Sequence, residues 1–181
     1  MKGIILAAGR GSRVNKLTKK CPKALIKIDD KPLLYYQIKA FEDAGITKEQ
    51  ISIVTGYKKK EFKKFKVKMF YNKNWKYTNM VYSLNKANNW MNKYNCIVSY
   101  GDIIYDSDVI KSLKKNKNKF CVPSNLNWKK YWSKRFNNPL SDLESYKIDK
   151  KKFIVEIGKK VKNINNINGQ FMGIFKIDPK N

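Results

Sequence analysis

The sequence predicts an α/β fold, a mostly parallel sheet in three layers with a small antiparallel addition, and three observations carry that expectation. Short apolar runs at 3–8, 51–57 and 95–106 alternate with stretches of helical periodicity, the pattern of strands joined by crossover helices. Each run is more continuously apolar than a half-exposed strand needs, which suits a sheet covered on both faces. The last third of the chain changes character, with ESYKID, FIVEIG and QFMGIFKID reading as short strands separated by turns.

The elements follow in order. GIILAA opens as a central strand and runs into LAAGRGSR, a loop of two glycines, a serine and two arginines. KPLLYYQIKAFEDAG puts Leu34, Ile38 and Phe41 on one helical face and stops at Gly45, a natural C-terminal glycine. ISIVTGY is the next strand, followed by a short basic helix and the strand VKMFYN. TNMVYSLNKANNWM carries Met80, Leu84, Ala87 and Met91 at the spacing of one helix, and NCIVSYGDIIYD is a buried strand with Gly101 and Asp102 at its exit. No repeat or flexible linker interrupts the 181 residues, so residues 1–181 are expected to form a single domain large enough for a real core.

Composition removes several classes of chemistry. There is no histidine, which excludes Ser-His-Asp and Cys-His pairs, HExxH zinc sites and histidine bases together. Forty Lys+Arg against fourteen Asp+Glu leave a net charge of +26, a balance that by itself suggests nucleic acid. Yet the only arginines are Arg10, Arg13 and Arg135, and the lysines are scattered among many asparagines. That mixture reads as codon drift in an AT-rich genome, and runs such as KKKEFKKFK as solvated faces, so no dedicated nucleic-acid surface is expected. Cys21, Cys96 and Cys121 show no CxxC spacing, the chain enters a strand without a signal sequence, and no apolar stretch approaches membrane-spanning length; a reduced cytoplasmic protein is expected.

The glycine loop leaves a strand end, where open α/β sheets bind ligands and where unhindered backbone N–H groups can meet phosphate. It is neither a dinucleotide fingerprint, since Val14 stands where a third glycine would, nor a P-loop, since Gly-Lys-Ser/Thr is absent. Lys23 follows Pro22 ten residues after Arg13, so two cations of one loop can face one triphosphate. Asp102, just past a strand, suits Mg²⁺, which takes one or two carboxylates plus phosphate oxygens and water. The plainer alternatives are a turn or cap residue for Asp102 and a solvated lysine for Lys23.

LAAGRGSR at 6–13, PKAL at 22–25 and GD at 101–102 together resemble the nucleotidyltransferases that couple a nucleoside triphosphate to a phosphorylated small molecule and release pyrophosphate. The resemblance implies a Rossmann-like mixed sheet, with the backbone of Leu6, Ala7, Ala8 and Gly9 under base and ribose. Gly11, Ser12 and Arg13 would wrap the triphosphate, Lys23 would meet the α-phosphate, and Asp102 would hold Mg²⁺. YTNMVYSL (77–84), NWKKYWSKRFNNPLSDLES (127–145) and GQFMGIFKI (169–177) are similar to phosphocholine and 2-aminoethylphosphonate cytidylyltransferases. That narrower resemblance implies CTP and a small phosphorylated amine as partners, Asn79 and Ser83 at the base, and Lys159 at the acceptor phosphate. Asn79 could instead begin a helix capped by Thr78. The family brings a second metal-binding aspartate from beyond GQFMGIFKI, whereas this sequence stops at Asn181 with Asp178 too close to that strand; truncation at the C-terminal end is expected, and a homodimer is left open.

In NWKKYW, Trp128, Tyr131 and Trp132 share one face if the segment is helical. Aromatic faces attract an ammonium group at roughly 0.5–2 kcal/mol per contact, and Asp142 and Glu144 could complete its recognition, with Arg135 at the acceptor phosphate or paired to one of those acids. The competing reading of these rings is core packing. The expected activity is Mg²⁺-dependent transfer of CMP from CTP to phosphocholine or a related amine-bearing phosphate or phosphonate. The alternatives are a sugar-1-phosphate nucleotidyltransferase using UTP or dTTP, and a basic nucleic-acid-binding module.

Overall fold

A computed structural model of the chain describes residues 1–11, 18–164 and 167–179. Its contacts form two compact units, Met1–Cys121 together with the chain from Gly173 onward, and Val122–Met172. The second is thus an insertion in the sequence of the first. In chain order the elements are β1 (Lys2–Ala7), α1 (Leu33–Asp43), β2 (Ile51–Thr55), β3 (Lys68–Tyr71), α2 (Met80–Asn85), α3 (Asn88–Met91), β4 (Cys96–Tyr100), α4 (Ser107–Lys115) and β5 (Phe120–Cys121). The insertion carries β6 (Ser124–Asn125), α5 (Trp128–Arg135), β7 (Glu144–Ile148), β8 (Ile154–Lys160) and β9 (Gln170–Phe171), after which β10 (Ile174–Ile177) returns to the first unit.

The first unit is built on a six-stranded sheet in the order β3-β2-β1-β4-β10-β5. β1 lies parallel to β2 and β4, and β2 parallel to β3, whereas β10 runs antiparallel to β4 and β5. Ile4 and Ile5 of β1, Ile53 and Val54 of β2, and Ile97 and Val98 of β4 are all fully buried, as the continuous apolar runs require of strands covered on both sides. Alternate β1 residues serve opposite faces. Ile4 and Ala8 pack with Leu84, Ala87 and Met91, while Gly3 lies against the Phe41 ring of α1. Helices therefore cover both faces, and the three-layer, mostly parallel α/β architecture is as the sequence predicts.

Two details depart from expectation. The segment read as one helix is two, α2 and α3, because the Ala87 N–H turns back to Leu84 O at 2.9 Å and breaks the α ladder. GQFMGIFKI is likewise divided: β9 pairs with β6 in the insertion, Gly173 turns with φ +78°, and β10 joins the central sheet beside β4. Lys176 on β10 is 3% exposed; its ammonium donates to the Asn116 and Asn118 carbonyls at 2.9 and 3.0 Å and pairs with Asp178 at 3.1 Å. Asp178 is thereby committed at the end of β10. In the insertion, β7 and β8 form an antiparallel hairpin, and Trp128, Leu143, Tyr146 and Ile167 make a core of their own. No helix among the described residues is long and apolar enough to cross a membrane.

Candidate active site

β1 and β4 are parallel neighbours with Leu6 opposite Tyr100, so both exit loops open at the same edge of the sheet. There they enclose a cavity of about 290 Å³, where an open α/β sheet places its ligand. Leu6, Ala7, Ala8, Gly9 and Gly11 line it from the first loop, Tyr100, Gly101 and Asp102 from the second, and Lys23 and Ala24 from the turn after the glycine loop. Trp75, Thr78, Asn79, Met80 and Ser83 complete the wall.

Local sequence explains each placement. Gly11 has φ +78°, and a Cβ there would stand 2.8 Å from the Lys23 Cβ; glycine at this position permits both the left-handed backbone and the close passage of the lysine. Pro22, with φ −56°, leads into a 3-10 turn, Lys23–Leu25, whose Ala24 and Leu25 are buried. The turn is thus anchored from below while Lys23 points its ammonium to Asp102 Oδ2 at 2.6 Å. Both side chains keep about a third of their surface exposed, 33% and 36%, so the pair is open to an incoming ligand. The Asp102 turn is braced by Gln37 of α1, fully buried, whose Nε2 donates to Tyr100 O at 2.8 Å and Ile103 O at 2.5 Å. Asn79 caps α2 itself, its Oδ1 accepting from the Tyr82 N–H at 2.9 Å, whereas Thr78, the alternative cap, donates its hydroxyl to Asn74 O at 2.9 Å.

The structure therefore brings together Leu6, Ala7, Ala8, Gly9, Gly11, Lys23, Asn79, Ser83 and Asp102 on one cavity. Ser12 and Arg13 lie outside the described residues. The seven candidates for the acceptor all belong to the insertion. Trp128 is 2% exposed and packs on Leu143, Tyr146 and Ile167, so the expected box loses this ring to the core. Trp132 is partly buried against the same cluster, and its ring centroid is 5.4 Å from that of Tyr131, which is 56% exposed. The Arg135 guanidinium stands 5.0 Å over the Phe136 ring. Asp142 and Glu144 are exposed. Lys159 pairs with Glu156 at 3.0 Å, and hydrogen bonds from Lys159 and Lys147 hold that carboxyl below its usual range.

Sequence reasoning missed Gln37, Trp75, Thr78, Met80 and Tyr100. For Gln37 a signal was present: it is a polar residue on the helical face that also carries Leu34, Ile38 and Phe41, and such a residue needs a buried partner. Trp75 rests on Tyr57, centroids 5.1 Å apart at 55°, a pairing that spacing does not announce.

The glycine-rich exit of β1 and the Lys23–Asp102 pair thus share one edge of a mostly parallel sheet. Residues 3–151 match the MobA-like NTP transferase domain. The CTP:phosphoglutamine cytidylyltransferase of Campylobacter jejuni is 37% identical over 186 aligned positions, covering 97% of this chain and 72% of that protein. The choline-phosphate cytidylyltransferase of Streptococcus pneumoniae is 41% identical over 46% of this chain and 38% of its own length. Among solved structures, the inositol-1-phosphate CTP transferase of T. maritima superposes with a TM-score of 0.73 at 19% identity, over 98% of this chain and 70% of that one; it speaks for the fold alone. The chain belongs to the MobA-like NTP transferase family and has cytidylyltransferases among its relatives.

Proposed function

We propose that this protein transfers CMP from CTP to a small phosphorylated or phosphonylated nitrogen compound and releases pyrophosphate. The observation that carries the proposal is the pairing of Lys23 with Asp102 at 2.6 Å on the cavity at the β1 and β4 exits, supported by the cytidylyltransferase relatives. The acceptor's phosphate or phosphonate oxygen is already anionic at neutral pH, so it needs positioning and charge screening rather than a histidine base. It attacks the α-phosphorus of CTP in line; the new O–P bond forms as the bond to the bridging β-phosphate oxygen breaks, and that oxygen leaves with the pyrophosphate. The Gly9–Gly11 backbone approaches the triphosphate, and Lys23 turns from Asp102 to the α-phosphate, where it offsets charge that grows in the transition state.

The residues present fit a magnesium ion held jointly with substrate. Asp102 is a hard, partly exposed carboxylate on the cavity, and Mg²⁺ commonly takes one or two protein carboxylates and completes its shell with phosphate oxygens and water. No cluster of three or more His, Cys, Asp or Glu exists among the described residues to hold a metal without substrate. When bound, the ion would screen the phosphate oxygens and the departing pyrophosphate.

For the acceptor, burial of Trp128 counts against one of the three rings of an aromatic box for a quaternary ammonium. A phosphorylated amide of the phosphoglutamine type therefore stands beside phosphocholine and 2-aminoethylphosphonate as a candidate. The test is a pyrophosphate-release screen of CTP, UTP and dTTP against phosphoglutamine, phosphocholine, 2-aminoethylphosphonate, phosphoethanolamine and glucose-1-phosphate. Release with CTP and a nitrogen-bearing acceptor is expected. Release with UTP or dTTP and glucose-1-phosphate instead would replace this reading with the sugar-nucleotide one.

A further inference from the structure

We propose that Asn72 is a positioning residue that sets which pyrimidine the cavity accepts, by holding the hydroxyls of Thr78 and Ser83 as hydrogen-bond acceptors toward the ligand. The inference rests on the nucleotide reading above. Asn72 follows β3, is fully buried, and does not line the cavity itself. Its amide can be oriented without ambiguity, because Oδ1 accepts from the backbone N–H of Asn74 at 3.0 Å, and an N–H only donates. Nδ2 is therefore the end that reaches the cavity wall, donating to Thr78 Oγ1 at 2.9 Å and to Ser83 Oγ at 3.0 Å.

The hydroxyl protons are fixed by the same reasoning. Thr78 Oγ1 donates to the Asn74 carbonyl at 2.9 Å, and Ser83 Oγ donates to the Asn79 carbonyl at 3.2 Å. A hydroxyl has one proton and two lone pairs. With the proton on a carbonyl and one lone pair taken by Asn72, each keeps a single lone pair for the cavity. Asn79 is oriented too: its Oδ1 is held by the Tyr82 N–H, which leaves Nδ2 as a donor. The wall thus offers acceptors at Thr78 and Ser83 and a donor at Asn79. A cytosine edge presents an exocyclic amine beside a ring nitrogen and a carbonyl that accept, and it complements this array. Uracil presents a carbonyl where cytosine has the amine, so a hydroxyl would have to abandon its backbone carbonyl to meet it. The desolvated alternative is an oxygen facing an oxygen, which a buried site penalises.

The experiment measures dissociation constants of CTP and UTP for the wild type and for Ser83→Ala, Thr78→Val and Asn72→Ala. The wild type should favour CTP by roughly tenfold or more, the factor that about one hydrogen bond carries. Ser83→Ala and Thr78→Val leave the Asn72–Asn74 bond in place; they should weaken CTP binding several-fold and leave UTP nearly unchanged. Asn72→Ala should bring the two constants together by releasing both hydroxyls, a convergence that a purely structural loss, which weakens both nucleotides alike, would not produce. A wild type that prefers CTP, with a CTP-to-UTP ratio unmoved in all three variants, overturns the role of Asn72 and leaves the nucleotide reading standing. A wild type that binds UTP as tightly as CTP overturns the role of Asn72 together with the preference for cytidine, and one that binds neither overturns the nucleotide reading itself.

Discussion

Lys23 and Asp102 are 79 positions apart in the chain, yet their side chains meet at 2.6 Å. Both were legible in the sequence because each follows a backbone punctuation mark, Gly101 at a strand exit for Asp102 and Pro22 in the turn after the glycine loop for Lys23. Gln37, which holds the Asp102 turn from beneath, was legible only in part: its place on an apolar helical face signals a buried partner, but the partners are backbone carbonyls that no side-chain pattern reports. As a half-exposed pair the two charges contribute little to stability, about 0–1 kcal/mol. Lys23→Ala and Asp102→Asn should therefore each lower pyrophosphate release by about 100-fold or more, as loss of a transition-state charge partner does, while melting temperatures move by only a few degrees. A variant with near-wild-type rate would remove that residue from the chemistry. Cys96 offers a test of the core instead. Burial raises its thiol to about 12 from an ordinary value of 9.0, so the folded state favours the protonated form. Stability from this group is complete below pH 9 and is lost as pH rises toward 12, when the unfolded thiol ionises and the folded one does not. Thermal melts from pH 8 to 11 should show a shallower alkaline decline for Cys96→Val than for the wild type; parallel curves would contradict the burial.

At the scale of elements, α1 illustrates what periodicity can and cannot reveal. Leu34, Ile38 and Phe41 are buried as their spacing predicts, but the same helix also sends Gln37 to Tyr100 O and Ile103 O. Gln37→Leu would leave two carbonyls without that donor at a cost of about 1–3 kcal/mol, and kcat should fall beyond what the lowered melting temperature explains, since the Asp102 turn loses its brace. Retention of full kcat would confine Gln37 to stability. The helix over 80–91 and the strand over 170–177 were each read as one piece where the fold has two. Period alone does not register a local reversal such as the Leu84–Ala87 turn, nor the pairing partners that assign β9 and β10 to different sheets. α5 shows the same limit in its side chains: the helical spacing of Trp128 and Trp132 was right, but spacing does not say whether a shared aromatic face meets ligand or core. Trp128→Leu should cost about 2 kcal/mol or more through the void it leaves, visible as a fall in melting temperature. If stability holds and only acceptor use drops, the ring is not the core residue its burial makes it.

For the whole molecule the dominant physical fact is charge. Fourteen acids can offset at most fourteen of the forty Lys and Arg, so 26 positive charges have no acidic counterpart however the side chains pair. Among the described residues the ion pairs are mostly short-range and exposed, such as Lys111 with Asp108 and Lys58 with Glu61, and these do little against repulsion summed over a whole surface. Folding concentrates that charge, so the compact state bears an electrostatic penalty that the expanded chain partly escapes. The Debye length shrinks from about 30 Å at 0.01 M salt to about 3 Å at 1 M, and the penalty should shrink with it. The melting temperature is expected to rise steadily with NaCl over that range, in contrast to a protein held together by surface salt bridges. Affinity for a triphosphate should weaken over the same range, because screening also removes the attraction that draws a polyanion to Lys23 and its neighbours. The two trends have opposite signs in one titration, which separates them from general salting-out, an effect that would strengthen folding without weakening nucleotide binding. Sodium sulfate beside NaCl at matched ionic strength completes the control. A melting temperature that is flat in NaCl and rises only in sulfate would show that surface repulsion does not limit the stability of this fold.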